Sequence, residues 1–239
     1  MKKALLTLLL FSLTFSLFGQ SAAEMKTSTK KVNYGVKAGF TSSIYLVSNF
    51  NVGGERIRRV QNNYRVGFNG SVFMRINMKR HYIQPELAFN INKCEIMFDK
   101  TSQNEEGTPG NYASISSNIH SIDLPILYGY NFVQKGIFGM SFFVGPKIRY
   151  IWESQNKMKY SNFDQKNIKE TFYPINFGIS VGLAINISRV FFDFRYEQVL
   201  HNISKSIEYD APQIADAEEK PLRLHRRDNT LSFSLGVIF

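Results

Sequence analysis

The chain has 239 residues, of which 44% are hydrophobic and 14% aromatic, and its formal net charge is +10. This length fits a single domain. After the N-terminus no stretch approaches the ~18 uninterrupted apolar residues of a membrane helix, which excludes a helical membrane protein. The single cysteine, Cys94, excludes an internal disulfide. Because the basic residues are spread through predicted loops and turns, we expect no nucleic-acid partner.

Residues 1–23 predict a cleaved signal peptide and export by the Sec pathway. Two lysines precede an apolar run, and small residues follow it, which is the order of a secretory signal. Cleavage after Gly19 and cleavage after Ala23 both fit, and the sequence leaves the two open. Residues 24–32 then form a short polar leader, and residues 33–239 form one β-barrel domain.

Eight segments alternate between large apolar residues and small or polar residues. Strict alternation is the period-2 pattern of a strand with two unlike faces. Runs near the ~9–11 residues of a tilted membrane-crossing strand are long for a soluble sheet. In the sixth segment, Phe177, Val181 and Leu183 alternate with Gly178 and Ser180. The predicted strands are residues 33–47, 66–76, 83–92, 121–132, 138–152, 177–187, 190–197 and 230–239.

Two residues break the alternation. Phe73 is an apolar residue on the otherwise polar face of the second strand. Pro85 lies on the apolar face of the third strand. Because proline has no backbone N–H to donate to a neighbouring strand, we expect a local bulge or irregular pairing there.

Long and short connections alternate along the chain. Short turns follow the second, fourth and sixth strands. With eight strands, this alternation puts both chain ends at the short-turn end, as in bacterial outer-membrane barrels. A closed ring leaves no sheet edge, which lipid requires. We therefore predict an all-β fold, an eight-stranded antiparallel up-and-down transmembrane β-barrel in outer-membrane lipid. The long polar connections are residues 48–62, 95–113, 153–171 and 204–228.

A soluble eight-stranded barrel of the lipocalin kind is the alternative fold. Such a barrel points its large apolar residues inward and needs a charged outer face. The second face of these strands is rich in Gly, Ala, Ser and Asn, which is too small and too sparsely charged for a solvent surface. The apolar face is therefore predicted to contact lipid.

The small-residue face carries balanced charge. If it lines the lumen, four basic and four acidic side chains share a space that an eight-stranded barrel fills with its own side chains. Because unpaired buried charges are costly, we predict an ion-pair and hydrogen-bond network that plugs the lumen, and not a diffusion pore. The predicted network residues are Arg75, Glu86, Asp123, Lys147, Arg149, Asp193, Arg195 and Glu197.

The one local cluster suggestive of catalysis is His120 with Ser121 and Asp123. Acyl hydrolysis would require the serine and the histidine to meet, but neighbouring residues on a strand point to opposite faces. The histidines and carboxylates lack metal-ligand spacing, and the sequence has no glycine-rich phosphate loop. We therefore expect no catalytic, cofactor or metal site.

Five segments carry a family resemblance through their order and spacing. They are SIDLPILYGY (121–130), FFVGPKIRY (142–150), NFGISVGLAI (176–185), RYEQVLHNI (195–203) and LSFSLGVIF (231–239). Together they resemble the PorT-like small outer-membrane β-barrel family of Bacteroidota. The resemblance implies the barrel fold and the outer membrane. It also implies an accessory or assembly role in type IX secretion, which carries proteinases and adhesins across that membrane.

We expect the partners of this protein to contact the two ends of the barrel. The terminal Phe239, on an alternating strand, resembles the signal read by the barrel-assembly machinery. The predicted periplasmic rim is basic, which fits contact with other secretion-system proteins or anchoring in lipid headgroups. Its basic residues are Lys79, Arg80, Lys135 and Arg189, with Lys26, Lys30 and Lys31. The alternative function is a surface barrel that binds a ligand or host surface through its long loops, with no secretion role.

Overall fold

The computed structural model describes residues 30–52, 55–56, 60–99, 112–152, 154, 156–162, 166–210 and 223–239. The predicted signal peptide, residues 1–23, and Lys26 of the predicted basic rim lie outside this part of the chain. None of the described residues belongs to a helix long and apolar enough to cross a membrane. The strands are β1 Val32–Val52, β2 Glu55–Arg56, β3 Val60–Tyr64, β4 Val66–Met78, β5 His81–Asp99, β6 Tyr112–Lys135, β7 Phe138–Ile151, β8 Lys157–Ser161, β9 Lys166–Phe172, β10 Ile175–Ile187, β11 Val190–Val199, β12 Ser204–Asp210 and β13 Arg223–Ile238.

Eight of these strands form a closed antiparallel ring. The order around the ring is β1, β4, β5, β6, β7, β10, β11 and β13. The last of these, β13, pairs with β1 from Gly35↔Ile238 to Asn51↔Arg223 and so closes the ring. The ring confirms the predicted eight-stranded barrel, and closure leaves it without a free edge.

Short turns join the ring strands at one end of the barrel. The first residue of each turn has a positive φ between 55° and 57°, as in two-residue hairpin turns that match the twist of their strands. The final strand ends at the same side, where Phe239 N donates to Tyr34 O (2.8 Å). The predicted parity of long and short connections is confirmed. The three turns are residues 79–80, 136–137 and 188–189.

Pro85 interrupts the strand pairing without changing its register. In the β4–β5 ladder, the pairs Phe73↔Glu86 and Ile76↔Ile83 have the same offset, and the residues between them are unpaired. The predicted irregular pairing is therefore present, but the β4–β5 ladder has no bulge at this point.

The strands reach farther than predicted at the long-loop end. Strand β5 continues to Asp99 and β6 begins at Tyr112, although composition predicts a loop over 95–113. Strand β13 begins at Arg223, inside the connection predicted over 204–228. The loop predicted over 95–113 is wrong because the alternation reverses on β5 and β6, so that inward side chains become apolar and outward ones polar. On β13 the inward residues Arg226 and Asp228 are charged and buried, so polar composition hides a strand there. Strands β3, β8 and β9 likewise occupy parts of the loops predicted over 48–62 and 153–171.

An apolar core fills the barrel at the long-loop end, and we call this part the extension. On β6 the residues that alternate with the core residues are Ser114, Ser116 and Asn118, which are half-buried. A sheet with apolar inner residues and polar outer residues is typical of a protein surface in water. The lipid-facing band therefore ends below the extension. The core residues are Cys94, Ile96, Ala113, Ile115, Ile119, Ile151, Phe172, Val199 and Ile203.

Candidate functional site

The outward face of the ring below the extension is an apolar band. Every strand of the ring contributes large side chains to it, and the representatives named below are between 44% and 60% exposed. Apolar exposure on this scale marks contact with lipid or with another protein, and a band around a closed barrel indicates lipid. The representatives are Tyr34, Phe40, Val72, Leu87, Ile126, Phe142, Ile179, Phe194 and Leu235.

All eight predicted network residues lie inside the ring. None of them is more than 8% exposed, and seven take part in ion pairs that form two clusters. Glu197 joins the clusters, because its carboxylate lies 3.7 Å from Arg195 Nη1 and 3.6 Å from Arg149 Nη2. The lumen is thus crossed by a connected set of charges.

The first cluster joins β1, β5 and β11. Lys37 Nζ lies 3.2 Å from Glu86 Oε2 and 2.8 Å from Asp193 Oδ2. Arg195 approaches the same two carboxylates, at 3.0 Å from Glu86 and 2.9 Å from Asp193. Each carboxylate is held between two cations, so neither is left as an uncompensated buried charge.

The second cluster joins β6, β7, β11 and β13. Arg149 lies 3.0 Å from Asp123 Oδ2 and 2.6 Å from Asp228 Oδ2. Lys147 Nζ lies 3.2 Å from Asp123 Oδ2 and 2.6 Å from Glu197 Oε2. The guanidinium of Arg149 spans the lumen between two strands far apart in sequence, which ties opposite walls together.

Two members of the network, Lys37 and Asp228, are missing from the predicted set. Lys37 lies on the small-residue face of the first predicted strand, so the alternation alone could have found it. Asp228 falls in the predicted loop 204–228, and only the longer β13 brings it into the lumen.

Arg75 makes no ion pair with any described residue. Its Nε donates to Gln84 Oε1 (2.5 Å), and Gln84 Nε2 donates to Glu86 Oε1 (2.5 Å). Its guanidinium carbon lies 4.4 Å from the centre of the Tyr82 ring and 5.6 Å from that of Phe191. Aromatic faces attract a desolvated cation, so Arg75 is linked to the network through an amide and also contacts aromatic rings.

Four inward aromatic rings close the short-turn half of the lumen, and we call them the aromatic seal. Each ring lies against a glycine directly opposite on the neighbouring strand, where an added Cβ would collide with the ring. Pairs of this kind let a large ring cover backbone that the glycine leaves bare. Each ring strand takes part in one pair. The pairs are Gly35–Phe73, Gly129–Tyr82, Gly182–Phe143 and Gly236–Phe191.

A buried ion pair lies at the other end of the lumen. Arg226 Nη2 lies 2.9 Å from Glu170 Oε2, and both side chains are 0% exposed. The same arginine donates to Ser117 Oγ (3.1 Å) and lies over the ring of Phe172 (5.3 Å). Burial raises the pKa of the neighbouring Tyr160 phenol, which therefore stays protonated and donates to Glu170 (3.4 Å). This pair ties β9 to β13.

A small polar cavity remains between the aromatic seal and the extension. Its volume is about 20 Å³, which is enough for about one water molecule. Thr41 Oγ1 and Ser71 Oγ line it and are buried without a protein hydrogen-bond partner, which suits a bridging water. A cavity of this size does not connect the two ends of the lumen.

His120 and Ser121 point to opposite faces of β6, as predicted. The His120 ring lies 6.3 Å from that of Phe89, on the outward face. Ser121 Oγ lies inside the barrel and donates to Asp123 Oδ1 (3.0 Å). Among the described residues no three His, Cys, Asp or Glu side chains form a group that could hold a metal ion.

A closed antiparallel ring with an apolar exterior, a filled polar interior and short turns at one end defines an outer-membrane β-barrel. In this class the short-turn end faces the periplasm and the long-loop end faces the cell exterior. The chain belongs to the family of the outer membrane protein beta-barrel domain, whose model matches residues 18–205. The protein is therefore located in the outer membrane.

Solved outer-membrane proteins are similar in structure but distant in sequence. OprG from Pseudomonas aeruginosa has 11% identity and a TM-score of 0.52, over 90% of this chain and 99% of its own. Neisserial surface protein A has 8% identity and a TM-score of 0.40, over 88% and 100%. Ail of Yersinia pestis has 10% identity and a TM-score of 0.39, also over 88% and 100%. No curated protein matches the sequence significantly.

The lumen is expected to be closed to ions. In planar bilayers the wild-type protein should give no discrete conductance steps, because ion pairs and the aromatic seal fill its cross-section. Replacing both Phe73 and Phe191 with alanine removes two adjacent rings of the seal, and any steps from this variant should be small and rare, because the charge network and the apolar core of the extension stay in place. The centres of the two rings lie 5.4 Å apart.

The matched control replaces Phe40 and Phe68 with alanine, a neighbouring pair on the outward face whose ring centres lie 5.6 Å apart. The control should stay closed. Discrete steps from the wild-type protein would contradict a plugged lumen, and so would a control that conducts as well as the seal variant.

Proposed function

We propose that this protein serves type IX protein secretion as a non-catalytic, non-conducting accessory or assembly component of the outer membrane. The resemblance of its segments to the PorT-like family supports this pathway. Sec export and insertion by the barrel-assembly machinery are parts of the same proposal.

The observation that carries the proposal is the plugged lumen. A barrel filled by its own ion pairs and aromatic rings leaves its two rims and its loops as the surfaces that can act. Contact with other secretion-system proteins is therefore the mode of action that suits this architecture.

The extension supports contact at the outer face. Its apolar core lies beyond the lipid band. The Arg226–Glu170 pair joins the wall to β9, which pairs with β12 in a separate two-stranded sheet. Because these contacts are buried, β9 is held against the wall of the barrel beyond the lipid band.

Deleting the gene should block export of type IX cargo. Proteinases and adhesins that normally reach the medium or the cell surface should accumulate in the periplasm, because an assembly component is missing. Immunoblots of culture supernatant, surface and periplasm measure this. Wild-type copies restored on a plasmid should recover export, and unchanged export in the deletion strain would contradict the secretion role.

A surface barrel that binds a ligand or host surface is the second candidate. The observation that favours it is strand length, because β6 has 24 residues and β1 has 21, about twice what a membrane-crossing strand needs. The same deletion strain separates the two candidates. Normal cargo export combined with lost adhesion to a host surface would favour the binding role.

A further inference from the structure

The periplasmic rim carries exposed positive charge on all sides. Its basic side chains lie in two of the turns, at the end of β6 and at the entry to β1, and all are exposed. No acidic residue occurs in the described segments that form this end of the barrel, residues 30–34, 76–82, 130–140, 186–191 and 236–239. The six basic residues, which we call the cationic rim, are Lys30, Lys31, Lys79, Arg80, Lys135 and Arg189.

The cationic rim lies at the edge of the apolar band. Each turn has only two residues, and the strand ends next to it carry exposed apolar side chains, including Met78 (43%), Phe138 (39%) and Ile187 (42%). Basic groups this close to the last apolar residue lie at the height of lipid headgroups. They do not project into the periplasm as a longer loop would.

Backbone hydrogen bonds make the rim rigid. Arg80 O accepts from Asn131 N (2.7 Å), and Lys31 O accepts from Asn77 N (2.8 Å). Across the barrel, Ile137 O accepts from Ser188 N (2.6 Å). The backbone of these segments is thus tied to the neighbouring strand or turn, so the points from which the basic side chains extend are fixed around the barrel.

Aromatic side chains of the interface lie beside the rim. Tyr34, Tyr128 and Tyr130 are 60%, 48% and 37% exposed on the outward face. The His81 ring, next to Arg80, stacks on Tyr128 with ring centres 5.7 Å apart. Rings with an apolar body and a polar tip are typical of the level where acyl chains meet headgroups.

We propose that the cationic rim binds the phosphate headgroups of anionic phospholipids in the periplasmic leaflet and holds them as a fixed annulus. Lysine supplies a point charge for a phosphate, and arginine supplies a paired set of N–H donors. An acidic segment of a periplasmic protein is the competing occupant. The short turns favour lipid, because such a segment would have to displace headgroups to reach them.

The test uses the folded protein reconstituted in bilayers of equal phosphatidylglycerol and phosphatidylcholine. After mild detergent release, native mass spectrometry measures which lipid the barrel retains. The wild type should retain phosphatidylglycerol in preference, by about fivefold for each basic residue in contact. Raising NaCl to about 0.5 M should weaken the preference, because the contacts are exposed to solvent.

The rim variant changes all six basic residues to glutamine. It should lose the preference for phosphatidylglycerol while keeping the heat-modifiable gel migration of a folded barrel, because exposed turn substitutions cost little stability. A smaller variant, K79Q with R80Q, should lose part of the preference. The matched control, K157Q with K159Q and K205Q, removes exposed charges from the extension and should retain lipid as the wild type does.

Three outcomes would overturn the proposal. The first is equal retention of the two lipids by the wild type, and the second is an unchanged preference in the rim variant. The third is displacement of bound phosphatidylglycerol by polyglutamate at low concentration, which would assign the rim to an acidic protein segment. Retention of the preference against polyglutamate would support lipid as the occupant.

Discussion

Replacing Arg195 with methionine is expected to destabilise the barrel by about 3–5 kcal/mol, the usual cost of removing one partner from a buried ion pair. The guanidinium of Arg195 contacts Glu86 and Asp193 and lies 3.7 Å from Glu197. Without it, three buried carboxylates share only the remaining lysines and Arg149. Urea unfolding in phospholipid bilayers measures the loss, with the fluorescence of Trp152, the single tryptophan, as the probe.

The matched control replaces Arg65 with methionine. Arg65 also pairs with a carboxylate, Glu95, at 2.9 Å, but its side chain is 53% exposed. Exposed pairs contribute about 0–1 kcal/mol, because water solvates either partner when the other is removed. Equal losses in the two variants would contradict the view that burial makes the lumen network costly to break.

The inside and outside of this barrel were predictable from the sequence. An outward residue faces lipid and an inward one faces a filled lumen, so the two rows differ in size and polarity along the whole membrane span. Charged residues such as Arg75 and Glu86 stand out in a row that is otherwise small. Because one row faces lipid and the other does not, the sequence alone predicts which row of each strand points outward.

The same difference between the two rows explains the errors at the extracellular end. Beyond the lipid, the outer face of the wall meets water, and the apolar residues move to the inner face. Segments with Ser114, Ser116 and Asn118 in one row and Ile115 and Ile119 in the other still alternate. These residues lie between the predicted loop 95–113 and the strand predicted from residue 121. The polar composition of residues 204–228 predicts a loop, so the predicted lumen lacks Arg226 and Asp228.

The pairings inside the lumen could not be predicted. Which cation reaches which carboxylate depends on the stagger of the strands around the closed ring. Arg149 reaches Asp228 across the lumen although the two are 79 residues apart in sequence. The aromatic seal required the same information, because Phe73 looks like an exception until the register places Gly35 opposite it.

Placing a charge at the centre of the apolar band is the second change expected to have a large effect. Val181 lies at the middle of β10 and pairs with Val144 and Tyr196 on its two neighbours. Val181→Arg should reduce the stability of the folded barrel by about 2–4 kcal/mol, the cost of an arginine at the bilayer midplane. Heat-modifiable gel migration and urea unfolding in bilayers measure the folded fraction.

The matched control is Ile187→Arg, on the same strand and the same face but beside the periplasmic turn. Ile187 is 42% exposed and lies next to Ser188 and Arg189. An arginine there reaches the headgroups and should cost about 0–1 kcal/mol. Equal losses at the two positions would mean that the bilayer is not centred near Val181. A Val181→Arg protein that folds like the wild type would mean that this face of β10 does not contact lipid at all.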